Sequence, residues 1–321
     1  MAESGKTTAA PSAGQVDAST KRKFFDDEEK MLKSLDILTA VDYILNVAFG
    51  ILAVVTGEHM YFVCLFLWVV AGFILSVLHG YLMIGAKNLV LFFLAGALLS
   101  LFFEAMGCNY GWFFSKYVYT DWIPGPKIFG FNVVSMIAYG LGVYLVFSMG
   151  QAAVGMFDNK FKKGDVILIP IICSMLITTV DFATDPLLST ISNTHFWEQD
   201  GVYYGIPWQN YLGWYLMGFV IFLVATLIVW NDARKGKLPK TPAIAKKKRY
   251  WVHTPLLYGS LYIQFPFYTL IQNVYEVTVQ STGQVYLTSQ IYWGVAIIMI
   301  GAMVTPAVIT LVRILRDDNL E

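Results

Sequence analysis

Two carboxylates four residues apart stand where an apolar run ends and an aromatic loop begins. Residues 181–214 read DFATDPLLSTISNTHFWEQDGVYYGIPWQNYLGW, which places Asp181 and Asp185 ahead of a loop rich in Tyr, Trp, Gly and Pro. Residues four apart share one face of a helix, and ionisable groups at membrane depth are functional candidates by default. We therefore expect chemistry at this pair, with the loop folding over it as a lid.

A carboxyl group among apolar walls can act as a proton donor, because burial disfavours its ionised form. Protonating a trisubstituted isoprenoid double bond gives a tertiary carbocation, which Tyr and Trp rings stabilise by cation–π attraction. A second carboxylate could then direct water onto the cation, or remove a proton to give a new alkene or ring. Glu104 also ends an apolar run before an aromatic loop, so we expect it at the same depth as Asp181 and Asp185.

The same residues also have structural interpretations. Asp181 and Asp185 could pair with backbone donors at a helix end, with Pro186 marking the exit from the helix. Asn210 could simply begin the next helix. The DFATD run has too few acids for the aspartate-rich Mg²⁺ site of diphosphate-dependent isoprenoid enzymes. We therefore predict no metal and no cofactor, and a neutral lipid as the substrate.

The composition indicates an integral membrane protein. Of the 321 residues, 57% are hydrophobic and only 14% are charged, which lies outside the range of soluble domains. The formal net charge is zero, so nothing suggests a nucleic-acid partner. About eight apolar runs have spanning length, and they predict an all-α, polytopic helix bundle. The runs cover residues 37–56, 60–82, 88–106, 131–150, 165–185, 211–230, 255–275 and 289–313.

Basic residues concentrate in alternate loops, which predicts the orientation of the bundle. Lys and Arg residues precede the first run and follow the second, fourth, sixth and eighth, whereas only Lys116 and Lys127 lie between the other runs. Both termini are therefore expected in the cytoplasm, with the two aromatic loops, 107–130 and 186–210, on the other side. Residues 1–33 lack apolar periodicity and are expected to form a disordered tail ending in a short charged helix, ahead of a catalytic membrane domain at 34–321.

Two blocks of residues resemble the membrane carotenoid-biosynthesis hydratase family, which includes bacterioruberin-pathway hydratases and enzymes that hydrate the acyclic end of gamma-carotene. The more specific block is GVYYGIPWQNYLGW at 201–214, which follows the acids and the Phe196–Trp197 pair. The other block begins at Glu104 and extends to Gly130. The chain departs from the family pattern at Phe131, Asn132 and Tyr139, where a Val-Pro pair and a Trp are usual.

The resemblance implies addition of water, without a cofactor, across the terminal C1–C2 double bond of an acyclic carotenoid end group. It makes Asp181, Asp185 and Glu104 the candidate proton donor and water-directing base, without indicating which acid donates. The candidate cation stabilisers, pocket walls and substrate-binding residues are Tyr110, Tyr119, Tyr203, Tyr204, Asn210 and Trp214.

Two other functions remain open at this stage. A membrane terpene or carotenoid cyclase or isomerase would use the same acids while excluding water. A lipid or polyene transporter would use them for proton coupling or structure. Besides the polyisoprenoid substrate and the bilayer, the basic loop at 231–253 could bind another enzyme of the same pathway, although a plain positive-inside signal also accounts for it.

Overall fold

The computed structural model describes residues 27–321, which form a bundle of mainly helical elements. Within this range, six helical segments are long and apolar enough to cross a membrane. They are Glu28–Thr56, Tyr61–Tyr110, Val133–Val154, Asp165–Ile191, Trp208–Arg234 and Thr288–Leu315. The predicted class, a polytopic helical membrane protein, is therefore correct. The number of such segments in the described residues is six, whereas eight were predicted.

The first helix, α1, covers Glu28–Thr56. The side chain of Asp27 accepts a hydrogen bond of 3.0 Å from the Lys30 amide, which satisfies one of the free donors at the helix start. Gly57, in a left-handed conformation, ends the helix. The short charged helix expected before residue 35 is therefore the first part of α1, and residues 1–26 of the predicted tail lie outside the described residues.

Two of the predicted runs, 60–82 and 88–106, form one helical segment that is broken at a glycine. Helix α2 (Tyr61–Leu75) continues through a π-helical turn into α3 (Tyr81–Tyr110), and within α3 Gly85 has φ 79° and ψ 161°. A Cβ atom at Gly80 would lie 2.8 Å from the side chain of Leu89, so the chain doubles back at this point. Glycine permits the break because it tolerates positive φ.

Three further long helices surround the acids. They are α4 (Val133–Val154), α5 (Asp165–Asp185, continued by a π-helical segment, Pro186–Ile191) and α6 (Trp208–Arg234). Small residues let them approach closely. A Cβ atom at Gly218 of α6, for example, would lie 2.8 Å from Ile177 of α5.

The prediction that the seventh run, 255–275, forms a single long helix is wrong. This part of the chain instead forms three short helices, α7 (Lys248–Trp251), α8 (His253–Ser260) and α9 (Phe265–Tyr268), with a 3₁₀ turn before α9. Pro266 accounts for the last break, because proline has no N–H to continue a helical ladder. The last long segment consists of α10 (Thr288–Met299), a π-helical turn and α11 (Thr305–Leu315).

Short β pairs in the loops qualify the all-α prediction. In the described part of the chain, β1 (Tyr117–Tyr119) pairs antiparallel with β4 (His195–Trp197), and β2 (Lys127–Ile128) pairs with β3 (Phe131–Asn132). Strands β5 (Glu276–Thr278) and β6 (Val285–Leu287) form another hairpin. The β1–β4 pair matters most, because it joins the two aromatic loops.

Candidate active site

A cavity of about 290 Å³ lies between α2, α4, α5 and α6, and the β1–β4 pair covers one end of it. All three predicted acids line this cavity: Glu104 from α3, and Asp181 and Asp185 from α5. Each is at most 4% exposed. Most of the remaining wall is aliphatic or aromatic. The acids therefore face a mainly nonpolar cavity rather than bulk water.

Asp181 and Asp185 lie one turn apart on α5 and share a hydrogen-bond donor. Nδ2 of Asn210, on α6, lies 2.8 Å from Oδ2 of Asp181 and 2.6 Å from Oδ2 of Asp185. Because both carboxyl groups accept from the same nitrogen atom, they lie close to each other. The expectation that Pro186 ends the helix is wrong, since the chain stays helical to Ile191. Proline is tolerated where a new helical turn begins.

Glu104 has different partners. The hydroxyl groups of Tyr117 and Tyr139 donate to its two oxygens, Tyr117 to Oε2 and Tyr139 to Oε1 over 3.1 Å. Glu104 is therefore held from two sides, by the β1 strand and by helix α4. Its hydrogen-bond partners therefore differ from those of the aspartate pair, although all three acids face the same cavity.

The β1–β4 pair, which we call the lid, presents one face to the cavity. Tyr117 lies opposite Trp197 and Tyr119 lies opposite His195 in the register of the two strands, and these four side chains all line the cavity. Successive strand residues point to opposite faces, so Val118 and Phe196 point away from it. The expected lid over the acids thus combines both aromatic loops.

His195 connects the lid to the acids. Its Nε2 atom lies 3.3 Å from Oδ1 of Asp185, and its Nδ1 atom lies 2.9 Å from the hydroxyl oxygen of Thr194. If Thr194 donates to Nδ1, the hydrogen of the neutral ring is on Nε2 and points at Asp185. Asp185 then has two side-chain donors, Asn210 and His195, whereas Asp181 has one.

Aromatic rings surround the acids. The rings of Tyr139 and Trp214 meet edge to face at 5.2 Å, and the ring of Tyr119 lies 5.5 Å from that of His195. Burial, together with the nearby Glu104, raises the pKa of Tyr119 well above its usual value, so this residue stays a neutral phenol. Neutral rings of this kind offer a negative face to a cation.

An ion pair outside the bundle fixes the end of β1. The ammonium group of Lys127 donates to the Tyr119 carbonyl over 3.0 Å and to Asp121 over 2.8 Å. The hydrogen bond from Lys127 lowers the pKa of Asp121, so the pair stays charged at neutral pH. Lys127 thereby ties the exit from β1 to the following hairpin.

The structure brings together six of the nine residues predicted for the site. Those that line the cavity are Glu104, Tyr119, Asp181, Asp185, Asn210 and Trp214. Tyr110 lies outside it at the end of α3, 65% exposed. Tyr203 and Tyr204 also lie outside it: Tyr203 donates to the Phe182 carbonyl over 3.2 Å and Tyr204 to that of Gln290 over 3.0 Å. Tyr204 instead lines a smaller cleft of about 180 Å³ beside β5.

Three residues of the site were not among those predicted for it. Tyr117 could have been predicted from the sequence, because residues two apart on a strand, such as Tyr117 and Tyr119, point to the same face. His195 was noticed only as an isolated histidine of the loop, and nothing local indicates that it pairs with a strand 76 residues earlier. Tyr139 was noted as a departure from the family pattern, and its contact with Glu104 shows what the tyrosine does here.

Residues 59–279 match the family model described as "Carotenoid biosynthesis protein", and this match covers more than half of the chain. The chain therefore belongs to that family, which confirms the resemblance drawn from the two sequence blocks.

A curated relative, the bisanhydrobacterioruberin hydratase of Haloarcula japonica, is 29% identical over 125 residues. The match covers 38% of this chain and 39% of that relative's length. No solved structure matches this chain significantly.

Proposed function

We propose that this protein hydrates an acyclic carotenoid end group by acid catalysis, adding water across the terminal C1–C2 double bond. The observation that carries the proposal is the placement of three buried and hydrogen-bonded acids in one apolar cavity under an aromatic lid. Membership of a carotenoid-biosynthesis family supports the substrate class. The activity named for the relative in Haloarcula japonica supports the type of reaction.

Asp181 is the proton donor in this proposal. Two carboxyl groups so close together in an apolar site repel each other when both are charged, so the pair holds one proton between them. Asp185 is the better stabilised carboxylate, since Asn210 donates over 2.6 Å and His195 Nε2 lies 3.3 Å away. Asp181 has only the Asn210 contact, at 2.8 Å, and therefore keeps the proton.

The carbocation forms among groups that favour positive charge. The proton leaves the carboxyl oxygen of Asp181 and forms a C–H bond at C2, which puts the charge on the tertiary carbon C1. Glu104, which accepts from two tyrosine hydroxyls, presents carboxyl oxygens with partial negative charge to the cavity. The rings of Tyr119, Tyr139 and Trp214 supply cation–π stabilisation.

Asp185 directs the water. The water oxygen forms a bond to C1 while one of its protons passes to Asp185, giving a tertiary alcohol and consuming one water. His195 orients this carboxylate from the lid. Because the two aspartates accept from the same Asn210 nitrogen and lie close together, the proton can return from Asp185 to Asp181, which restores the starting state.

The test is a measurement of product mass. The chain is expressed in a bacterium that makes lycopene or another acyclic carotenoid, and the pigments are analysed by mass spectrometry. We expect a gain of one water per modified end, and no gain with the Asp181→Asn variant, which keeps the shape of the side chain. A product of unchanged mass and altered retention would refute hydration and indicate cyclisation or isomerisation instead.

We also propose that the acids lie toward the non-cytoplasmic face, with both termini in the cytoplasm. The ring of Phe62, near the start of α2, lies 5.1 Å from that of Trp122 in the first aromatic loop. At the other end of α2 and α3, Lys87 forms an ion pair with Asp232, next to the basic loop. Reporter fusions at the C-terminus and in the loop at 121–126 should report opposite sides, and the same side for both would refute this topology.

A further inference from the structure

The cavity extends further than the acids need. On α6 it is lined from Asn210 to Phe222, thirteen residues that span about 18 Å of helix. All three acids lie at the end nearest the lid, whereas residues such as Met217, Ile221 and Phe222 line the deeper part. A site for an end group alone would need only the part beside the acids. The deeper part is suited to a hydrocarbon chain behind that end group.

Helix α4 presents small side chains to the cavity, and Gly142 is the one furthest from the lid. Ser135, Ala138 and Gly142 line the cavity at the three- and four-residue spacing of one helix face. Gly142 is buried, yet a Cβ atom added there would meet no atom of residues 27–321 within 4 Å. The free space beside Gly142 is therefore the cavity itself, and nothing but the missing side chain keeps it open.

The cavity also reaches the lipid-facing surface between α2 and α4. Phe66 of α2 and Val134 and Ile137 of α4 all line the cavity. They are also 58%, 43% and 41% exposed on the outside of the bundle. Further along, α2 and α4 are in close contact and the gap ends, since a Cβ atom at Gly72 would lie 3.3 Å from Leu145. We call the gap beside Phe66 and Ile137 the window.

We propose that the polyene chain behind the reactive end lies against Gly142 and leaves through the window into the lipid, so that Gly142 determines which chain lengths are accepted. This inference rests on the proposed function for the position of the reactive end. A volume of about 290 Å³ lies at the lower limit of pockets for drug-sized ligands, about 300 Å³. The cavity therefore takes one end of a long polyene while the remainder stays in the membrane.

The experiment compares substitutions at two glycines. Gly142→Ala and Gly142→Leu fill the free space in steps, and Gly301→Leu is the matched control. Gly301 lies in a π-helical turn, is exposed, and a Cβ atom there would likewise meet no described residue within 4 Å. Each purified variant is tested for binding of an acyclic C40 carotenoid by the shift of its absorption bands. Hydration is measured on that carotenoid and on a short acyclic monoterpene with the same terminal double bond.

We expect Gly142→Leu to weaken carotenoid binding about tenfold or more, because the leucine side chain would fill the space that the polyene chain occupies. The ratio of carotenoid to monoterpene hydration should fall from wild type through Gly142→Ala to Gly142→Leu, and it should not change in Gly301→Leu. This ratio does not depend on how much of each variant folds. An unchanged ratio in both Gly142 variants would overturn the inference.

The binding measurement separates this inference from the proposed function. If the wild type binds the carotenoid but hydrates neither compound, the proposed function fails. Weaker binding by Gly142→Leu than by Gly301→Leu would still support the position of the chain. Equal binding by these two variants would refute it.

Discussion

Nε2 of His195, on a three-residue strand of the lid, lies 3.3 Å from Oδ1 of Asp185 on α5. The contact connects a loop residue to a carboxylate inside the helix bundle, and 8% or less of either residue is exposed. Asp185 therefore depends on the lid for one of its two donors. In the proposed mechanism, the lid therefore orients the acid that directs water.

Replacing His195 should accordingly slow hydration more than it affects substrate binding. We expect His195→Phe, which keeps a ring but has no nitrogen, to lower kcat about a hundredfold, and His195→Gln, whose amide can still donate, to recover part of that loss. The measurement is kcat and KM on an acyclic carotenoid. Val118→Ala is the control, since Val118 lies on the outward face of the lid and should behave like wild type. Equal kcat values for His195→Phe and His195→Gln would contradict an orienting hydrogen bond.

The two tyrosines bound to Glu104 should act together with it. Tyr139→Phe and Tyr117→Phe each remove one donor to the carboxylate, and we expect kcat to fall about tenfold in each. In the Glu104→Gln background the same changes should have little further effect, because residues that share one network are not additive. A double-mutant cycle on kcat measures this coupling.

Tyr110→Phe is the control for that cycle. Its hydroxyl is removed from an exposed ring at the end of α3, outside the cavity, so kcat should not change. Full additivity of Tyr139→Phe and Glu104→Gln would show that the hydrogen bond has no part in the reaction.

Asn210 should contribute to kcat through its side-chain amide, because Nδ2 donates to both aspartates. Asn210→Ala leaves the two carboxyl groups without this donor, and we expect kcat to fall about a hundredfold, as when a single positioned donor is lost from an active site. Gln209→Ala, at the neighbouring position of α6, should keep kcat near the wild-type value. Similar losses in both variants would point to a general disturbance of the helix start.

Features that are local in sequence were predicted well. Apolar runs give the helices of the bundle, and the charge of Asp181, Asp185 and Glu104 at membrane depth is visible without a structure. The two arms of the segment that doubles back at Gly85 were predicted as separate runs. Hydropathy identifies apolar spans, but it does not show that the helix continues on both sides of a break.

Contacts that depend on the pairing of strands far apart in the chain could not be predicted. Strands β1 and β4 are three residues each and far apart in the chain, and so short a pattern cannot be distinguished from an aromatic belt. Conversely, Tyr203 and Tyr204 belong to the most specific motif but do not line the cavity. The backbone at Tyr204 has φ 52°, a left-handed turn that no periodicity indicates.

The loop between α1 and α2 should make the protein sensitive to acid. His59 lies in this loop with Nε2 3.0 Å from the Ser192 hydroxyl oxygen, and burial lowers its pKa from 6.5 to about 4. Between these two values the unfolded chain binds a proton that the native protein does not, so stability falls as the pH falls. Stability from this source is complete above pH 6.5 and is lost progressively down to about pH 4.

His59→Gln should remove part of this dependence. In detergent micelles, the difference in thermal unfolding midpoint between pH 7.5 and pH 5 should be smaller in the variant than in wild type, roughly by a few degrees. An identical difference in both proteins would mean that the imidazole takes up its proton in the native state.

The chain doubles back at Gly85, and we expect this position to require glycine. With φ 79° and ψ 161°, this residue has a backbone conformation that side chains with a Cβ atom avoid, and the added atom would also lie 3.2 Å from Pro239. We expect Gly85→Ala to destabilise the protein by about 1–3 kcal/mol, seen as a lower thermal midpoint. Gly301→Ala should have almost no effect, because its surroundings are open and its φ is not positive. Equal midpoints for the two variants would mean that the chain reverses equally well with a side chain at residue 85, and that the approach of α3, with Glu104, to α2 does not require glycine there.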